Sequence, residues 1–187
     1  MIGPRALYML YQGVIVTEKI PGDAVEFGVW RGGSAGLISS TLQSLGSKRQ
    51  LHLFDSFRGL PPPDPFTDGK SHREGEYHSD ERDVRDFLGG LGTRNWHIYP
   101  GWLRETFSRV SSAIAPFSLV HVDVDLYGPI HDALQLTFDK LSPGGIVFID
   151  DYGNPRLPGV ARACQEFLDK ERCQSFYLPT GQAMILK

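Results

Sequence analysis

Two groups of residues in this sequence have types and spacings that could do chemistry. The first is Glu26-Phe27-Gly28-Val29-Trp30-Arg31-Gly32-Gly33-Ser34, where an apolar run passes through a glycine-rich turn into a helical pattern. Glycines open backbone angles closed to other residues and let a ligand approach the main chain, while the following helix offers unpaired N–H groups. The spacing G-x-x-x-G-G departs from the dinucleotide pattern G-x-G-x-x-G, because Trp30 stands where the second glycine would be and would obstruct a pyrophosphate. That points to a ligand without one, such as S-adenosylmethionine, whose cationic end a carboxylate at Glu26 would suit. A second apolar run ends in Leu53-Phe54-Asp55, which puts Asp55 at a strand's C-terminal edge, where acids accept hydrogen bonds from ribose hydroxyls. The competing reading is a chance glycine cluster with Asp55 capping a turn.

The second group is a set of carboxylates. Ser118-Leu119-Val120-His121-Val122-Asp123-Val124-Asp125 and Gly145-Ile146-Val147-Phe148-Ile149-Asp150, followed at once by Asp151, are apolar runs that both end in acids. Parallel neighbours lie about 4.8 Å apart, so Asp123, Asp150 and Asp151 can converge on one point. Three crowded carboxylates raise one another's pKa unless a cation lies between them. All-oxygen ligation suits Mg²⁺, Mn²⁺ or Ca²⁺, and Mg²⁺ best fits a few carboxylates completed by substrate oxygens and water. The competing reading has one or two of these acids capping the following helices. His121 reads as a hydrogen-bonded core residue, and His131 as an exposed residue in a helix's first turn.

Both groups need a scaffold that brings strand ends together. From Asp23 onward, short β-rich runs alternate with helical patterns, which predicts a doubly wound α/β fold of the Rossmann-like type. Strands are expected at 24–30, 50–55, 96–99, 118–125, 145–150, 173–178 and 182–187, with helices at 33–45, 79–91, 103–113, 129–140 and 160–170. The last two strands flank Pro179-Thr180-Gly181, too short for a helical crossover, so they must pair antiparallel. Five β-α units, a sixth strand and an antiparallel seventh are the chain order of class I methyltransferases, an analogy of fold that carries no function by itself. Residues 56–77 hold Pro61, Pro62, Pro63, Pro65, Gly69 and Gly75 in a long non-periodic stretch, expected to be a mobile loop over the site.

Composition narrows the classes. With 187 residues, 41% hydrophobic and 22% charged, the chain reads as a single domain able to bury a core without disulfides. Cys164 and Cys173 have no ligand spacing, which fits reduced thiols in a cytoplasmic protein and leaves no structural zinc. A net charge of −3 with no long basic run argues against nucleic acid as a partner. Leu7, Leu10, Tyr11 and Val14 recur at helical spacing within residues 1–20, and this stretch is too short to span a membrane.

Taken together, Pro21-Gly22-Asp23, Glu26 through Gly33, Asp55-Ser56-Phe57-Arg58-Gly59-Leu60-Pro61, Gly101-Trp102, Asp123-Val124-Asp125-Leu126-Tyr127, Leu141-Ser142-Pro143-Gly144-Gly145 and Asp150-Asp151-Tyr152 carry a family resemblance. The chain resembles the macrocin O-methyltransferase (TylF-type) family, S-adenosylmethionine- and Mg²⁺-dependent enzymes that methylate sugar hydroxyls of natural products. By position, the resemblance implies that Glu26, Gly28, Gly32 and Ser34 hold the methionine end of the cofactor. Asp55 and Ser56 would hold its ribose, and Gly101 and Trp102 would line its pocket. It implies Asp123, Asp150 and Asp151 as metal ligands, with Asp123 also the general base, and a sugar diol as small-molecule acceptor. Family members usually carry a longer helical N-terminal part that covers the active site and supports a homo-oligomer, whereas about twenty residues precede the first strand here.

Three rivals stand beside this reading. A catechol-type methyltransferase would use the same metal logic on a phenol, and a non-catalytic protein would bind the cofactor alone. A phosphatase of the haloacid dehalogenase type would use Asp123-Val124-Asp125 as its D-x-D, but that motif belongs after a first strand and here ends the fourth.

Overall fold

The structure, a computed structural model, describes residues 2–187. In chain order it comprises α1 (Pro4–Val16), β1 (Asp23–Phe27), α2 (Gly33–Ser44), β2 (Leu51–Asp55), α3 (Glu81–Gly90), β3 (Trp96–Pro100) and α4 (Leu103–Val110). These are followed by β4 (Phe117–Val122), α5 (Tyr127–Thr137), β5 (Leu141–Ile149), α6 (Pro158–Glu171), β6 (Ser175–Tyr177) and β7 (Ala183–Leu186). The seven strands form one sheet in the order β3-β2-β1-β4-β5-β7-β6. β1 to β5 pair parallel, whereas β7 runs antiparallel to both β5 and β6. A tight turn closed by Leu178 N–H on Gln182 O (2.9 Å) joins β6 to β7, as the short linker requires.

Strand alternation divides the core between two faces. Val25, Phe27, Val120, Val122, Val147 and Ile149 face Phe107 of α4, Ile130 and Leu134 of α5 and Val160 and Phe167 of α6. The other face buries Ala24, Leu53, Leu119 and Phe148 under Leu10 and Val14 of α1, Ile38 and Leu42 of α2 and Val84 and Leu88 of α3. Local signals place the helix ends: Asp80 caps α3 through Arg82 N–H (2.8 Å), and Pro158 opens α6 at its first turn.

Because the order reverses between β1 and β4, crossovers leave that point in opposite directions and a crevice opens above it. The strands end earlier there than the apolar runs suggest. β1 stops at Phe27 instead of residue 30 because Gly28 (φ 85°) and Trp30 (φ 47°) turn left-handed, and β4 stops at Val122 instead of residue 125 before Asp125 (φ 58°). The turns therefore begin at the residues that could do chemistry.

The stretch 56–77, expected to be mobile, is tied down at several points. Leu60 N–H donates to Glu76 O (2.8 Å) and Gly75 N–H to Leu60 O (2.9 Å). Buried Asp68 accepts from Tyr127 N–H at the start of α5 (2.6 Å) and from Asp64 N–H (2.9 Å). Gly159 admits that carboxylate: a Cβ there would lie 2.2 Å from Asp68 Oδ1. The segment's Leu60, His72 and Tyr77 are among the residues that line the crevice.

At the other end of the molecule, Arg49 fixes α1 to the sheet. Its guanidinium donates to Val14 O (2.8 Å), Thr17 O (3.2 Å), Thr17 Oγ1 (3.0 Å), Ser118 Oγ (3.0 Å) and Glu18 Oε2 (2.5 Å), and the residue is 8% exposed. Replacing Arg49 with Met strands several buried acceptors at once, so urea unfolding is expected to show a loss of about 3 kcal/mol.

Candidate active site

A single cavity of about 1530 Å³ opens above the C-terminal ends of β1, β2, β4 and β5. One half is walled by the turn after β1, with Gly28, Trp30 and Ser34, and by Asp55, Ser56, Gly101 and Trp102 at the ends of β2 and β3. The other half has Asp123, Asp125, Asp150 and Asp151 on its floor, with residues of α1, the 56–77 segment and the β6–β7 turn around it. The sequence-predicted groups therefore share one chamber. Gly28 is the point of contact between the halves, since a Cβ there would lie 1.8 Å from Asp123 O. Only glycine lets the two strand ends approach so closely.

The carboxylates are crowded. Oxygens of Asp123, Asp125 and Asp151 lie within 4.8 Å of one another, a grouping that includes Asp125, which is not among the three expected ligands. Asp125 (φ 58°) and Asp151 (φ 53°) both have left-handed backbone, a strained conformation that persists only where the surroundings hold it. Asp150 lines the same cavity, and its charge is felt by Asp123. Burial raises the Asp123 carboxyl well above its ordinary range, reinforced by the charge of Asp150. Burial and Asp151 push Asp125 up to about 6, and burial also raises Asp150.

Beneath this floor lies a dry ion pair. Glu26 and His121 are register partners across β1 and β4, both fully buried, with Nδ1 2.8 Å from Glu26 Oε1. Burial alone would lower the His121 pKa, but the bond to Glu26 outweighs it and holds the imidazole at about 9. His121 is thus the bonded core histidine expected. Glu26, expected to face a cofactor, sits under the cavity wall with Oε1 taken by His121 and Oε2 unpartnered. Gly32 also stands back from the cavity, capping α2 in a left-handed conformation (φ 80°) against Val84 and Phe87.

Asp55 binds protein before any ligand. Its Oδ2 accepts from Val29 N–H (2.7 Å) and Trp30 N–H (2.9 Å), and its Oδ1 from Phe57 N–H (2.7 Å). Three of about four acceptor positions on a carboxylate are used, leaving one toward the cavity. Ser56 likewise spends its hydroxyl locally, donating to Gly59 O (2.9 Å) and accepting from Arg58 N–H (3.0 Å). Both residues line the chamber, Asp55 shaping the turn that carries Trp30 and Ser56 the turn at residues 56–59.

Sequence reading missed what the 56–77 segment adds. His72 bonds Glu76 (Nδ1 to Oε2, 3.0 Å) and meets Tyr77 edge-on at 5.4 Å, and Tyr77 in turn meets Trp30 at 5.9 Å. These side chains form an aromatic wall facing the acids, and no local periodicity announces it.

Residues 1–176 match the family described as Macrocin-O-methyltransferase (TylF). The chain belongs to this family. It is 32% identical over 167 residues to an 8-demethyl-8-(2,3-dimethoxy-alpha-L-rhamnosyl)-tetracenomycin-C 4'-O-methyltransferase of Streptomyces olivaceus, which covers 81% of this chain and 62% of the relative. It is 33% identical over 165 residues to a demethyldecarbamoylnovobiocin O-methyltransferase of Streptomyces niveus, again covering 81% and 62%. The TylF-family chain thus spans less than two thirds of the length of these two relatives. Among solved structures, the O-methyltransferase NovP superposes with a TM-score of 0.89 at 27% identity, covering 99% of this chain and 80% of that one. An O-methyltransferase from Bacillus cereus in complex with SAH shares the fold at 12% identity and a TM-score of 0.72, covering 100% and 83%.

Raised carboxyl pKa values have a thermodynamic consequence. The folded protein holds the Asp125 proton up to about pH 6 while the unfolded chain releases it near 3.8, so this residue's contribution to stability declines as pH rises through that window. In chelator, thermal melts of Asp125→Asn are expected to lose less stability than the parent protein between about pH 4 and 6, and added Mg²⁺ should narrow the difference.

Proposed function

We propose that this TylF-family chain is an S-adenosylmethionine- and Mg²⁺-dependent O-methyltransferase that acts on a hydroxyl of a sugar diol in a small-molecule natural product. The observation that carries the reading is the shared chamber, in which a glycine turn bearing Trp30 faces a cluster of half-buried carboxylates. The two relatives named above, both O-methyltransferases by their names and one of them acting on a rhamnosyl-tetracenomycin, point the same way.

The chain fits both groups the family implies. Oxygen donors from Asp123, Asp125 and Asp151 within 4.8 Å suit a hard divalent cation, whose charge would relieve their mutual repulsion, and Asp150 stands ready at the same floor. The unpartnered Oε2 of Glu26, buried under the turn, suits a cationic amino group approaching through it, so Glu26 acts from beneath the wall. Gly28 and Ser34 then line the site for the methionine end with Gly32 shaping the turn behind them, the remaining acceptor of Asp55 and the Ser56 turn serve the ribose, and Gly101 and Trp102 close the pocket. When bound, S-adenosylmethionine supplies an electrophilic methyl group, and Mg²⁺ lowers the pKa of a hydroxyl it coordinates.

The protein's own work is to place and deprotonate the acceptor. A sulfonium methyl reacts with an oxygen lying in line behind its carbon, so orientation supplies much of the rate. The acceptor hydroxyl faces Asp123, which takes its proton on a carboxylate oxygen. Asp125, with a pKa near 6, stands beside it as a second acceptor. The Trp30–Tyr77–His72 wall and the tied 56–77 segment exclude water from above.

The deciding experiment is a calorimetric titration of S-adenosylhomocysteine into the protein in Mg²⁺ buffer and again in chelator. Micromolar binding is expected, and folded protein that fails to bind would overturn the reading. Asp123→Asn is expected to keep that binding and lose about 100-fold or more in methyl transfer to a sugar diol, with catechol as the competing acceptor. Loss with Asp125→Asn but not Asp123→Asn would move the base to Asp125.

A further inference from the structure

Asp150 and Asp151 each face a neutral side-chain amide, and the chemistry proposed above gives neither amide a part. Asn154 reaches back to Asp151, its Nδ2 donating to Oδ1 (2.9 Å), in a turn closed by Asn154 N–H on Asp151 O (3.0 Å). Gln182 comes to Asp150 across the sheet. Ile149 of β5 and Ala183 of β7 are the last antiparallel partners, so one further step of the register sets Gln182 opposite Asp150. Asp150 keeps to that line, since its N–H donates to Val122 O of β4 (2.9 Å). The turn that carries Gln182 is anchored to the stretch following the acids by Gly153 N–H on Gly181 O (2.8 Å).

Both amides are oriented by a bond at their other end. Thr180 Oγ1 donates to Gln182 Oε1 (2.9 Å), and Arg156 N–H donates to Asn154 Oδ1 (3.1 Å). With each amide oxygen engaged, the NH2 group is the end left for the acid. Gln182 is fully buried, and its Nε2 is without a hydrogen-bond partner. A buried donor left unsatisfied is costly, and the acid set opposite this one is Asp150. Burial raises the Asp150 carboxyl, and the Gln182 amide is among the groups that hold it down.

A donor of this kind suits the edge of a cation site. Lys or Arg would hold a carboxylate as firmly but cancel the charge that attracts the cation. An amide takes about one of a carboxylate's four acceptor positions, leaves its charge whole and restricts its rotation. The grouping of Asp123, Asp125 and Asp151 oxygens already includes one acid held in this way, and Asp150 lines the same chamber.

We infer that Asn154 and Gln182 are positioning residues, which hold Asp151 and Asp150 with one oxygen of each bonded to an amide and the other free for a divalent cation. The inference rests on the cation half of the proposed function and is independent of the methyl donor.

The test is calorimetric titration of Mn²⁺ and of Mg²⁺ into the whole protein, with S-adenosylhomocysteine titrated separately in chelator. Asn154→Leu and Gln182→Met keep side-chain size and remove the NH2 donor. Each is expected to weaken cation binding about tenfold and to leave S-adenosylhomocysteine affinity unchanged. Because each amide acts through one acid, Gln182→Met is expected to add nothing in an Asp150→Asn background, and Asn154→Leu nothing in an Asp151→Asn background. Thr180→Val, at a half-buried position, frees the Gln182 amide to turn over and is expected to weaken cation binding to a smaller extent, while Thr180→Ser keeps the parent affinity. This pair decides for Gln182 where its own variant is unstable or the Asp150→Asn background binds too weakly to measure. Unchanged cation binding in either donor-less variant, the same loss in the backgrounds without the acids, or equal behaviour of Thr180→Val and Thr180→Ser overturns the inference. A parent protein that binds neither metal overturns it together with the cation half of the function. Cation binding with the expected losses but no S-adenosylhomocysteine binding keeps the inference and removes the methyl-transfer reading.

Discussion

Four carboxylates gathered at the ends of two neighbouring buried strands are the constraint on which this structure turns. Like charges at such spacing resist ionisation, and the sheet places a further ionisable pair, Glu26 and His121, directly beneath them. The imidazole, kept cationic by Glu26, pulls the pKa of Asp123 and Asp150 down from below, against the effect of burial. That arrangement costs the sheet two apolar positions at its centre. Such a cost is tolerated where chemistry is done, and four of the six non-glycine residues with left-handed backbone, Trp30, Tyr77, Asp125 and Asp151, line the same chamber.

The fold was readable because each of its elements has a local signature. Alternating runs and helical periodicity located all seven strands and the helices between them within a few residues. The short link at Pro179-Thr180-Gly181 required the antiparallel pair that the sheet contains. The start of β5, at Leu141 instead of residue 145, and the ends of β1 and β4 show the largest discrepancies among the strands, the last two at the site. There Gly28 and Trp30, and then Asp125, leave the extended conformation although the residues around them remain apolar or β-prone. Hydrophobic pattern reports burial, and it continues past the point where the backbone turns.

The site was legible in outline and less so in detail. Asp123 and Asp151 reach one point because strand pairing carries them there, which spacing along the chain can anticipate. That Asp125 joins them goes with left-handed backbone at Asp125 and Asp151, which no residue type encodes. Glu26 was legible as an acid beside a glycine turn, but its register with His121 is a contact over 95 positions. Asp55 shows the same limit: its place at a strand end was clear, and its service to three backbone amides was not. The aromatic wall of His72, Tyr77 and Trp30 joins segments that share no pattern at all.

The fastening of the 56–77 segment also bears on how such chambers diversify. Asp68 belongs to the segment, the amide it grips opens α5, and the glycine that makes room for it lies in α6. A segment exchanged between relatives without its distant glycine would meet a methyl group where its carboxylate must sit. Recombination at the ends of this segment therefore breaks a three-part joint, and the natural unit of inheritance is the segment together with the second half of the sheet.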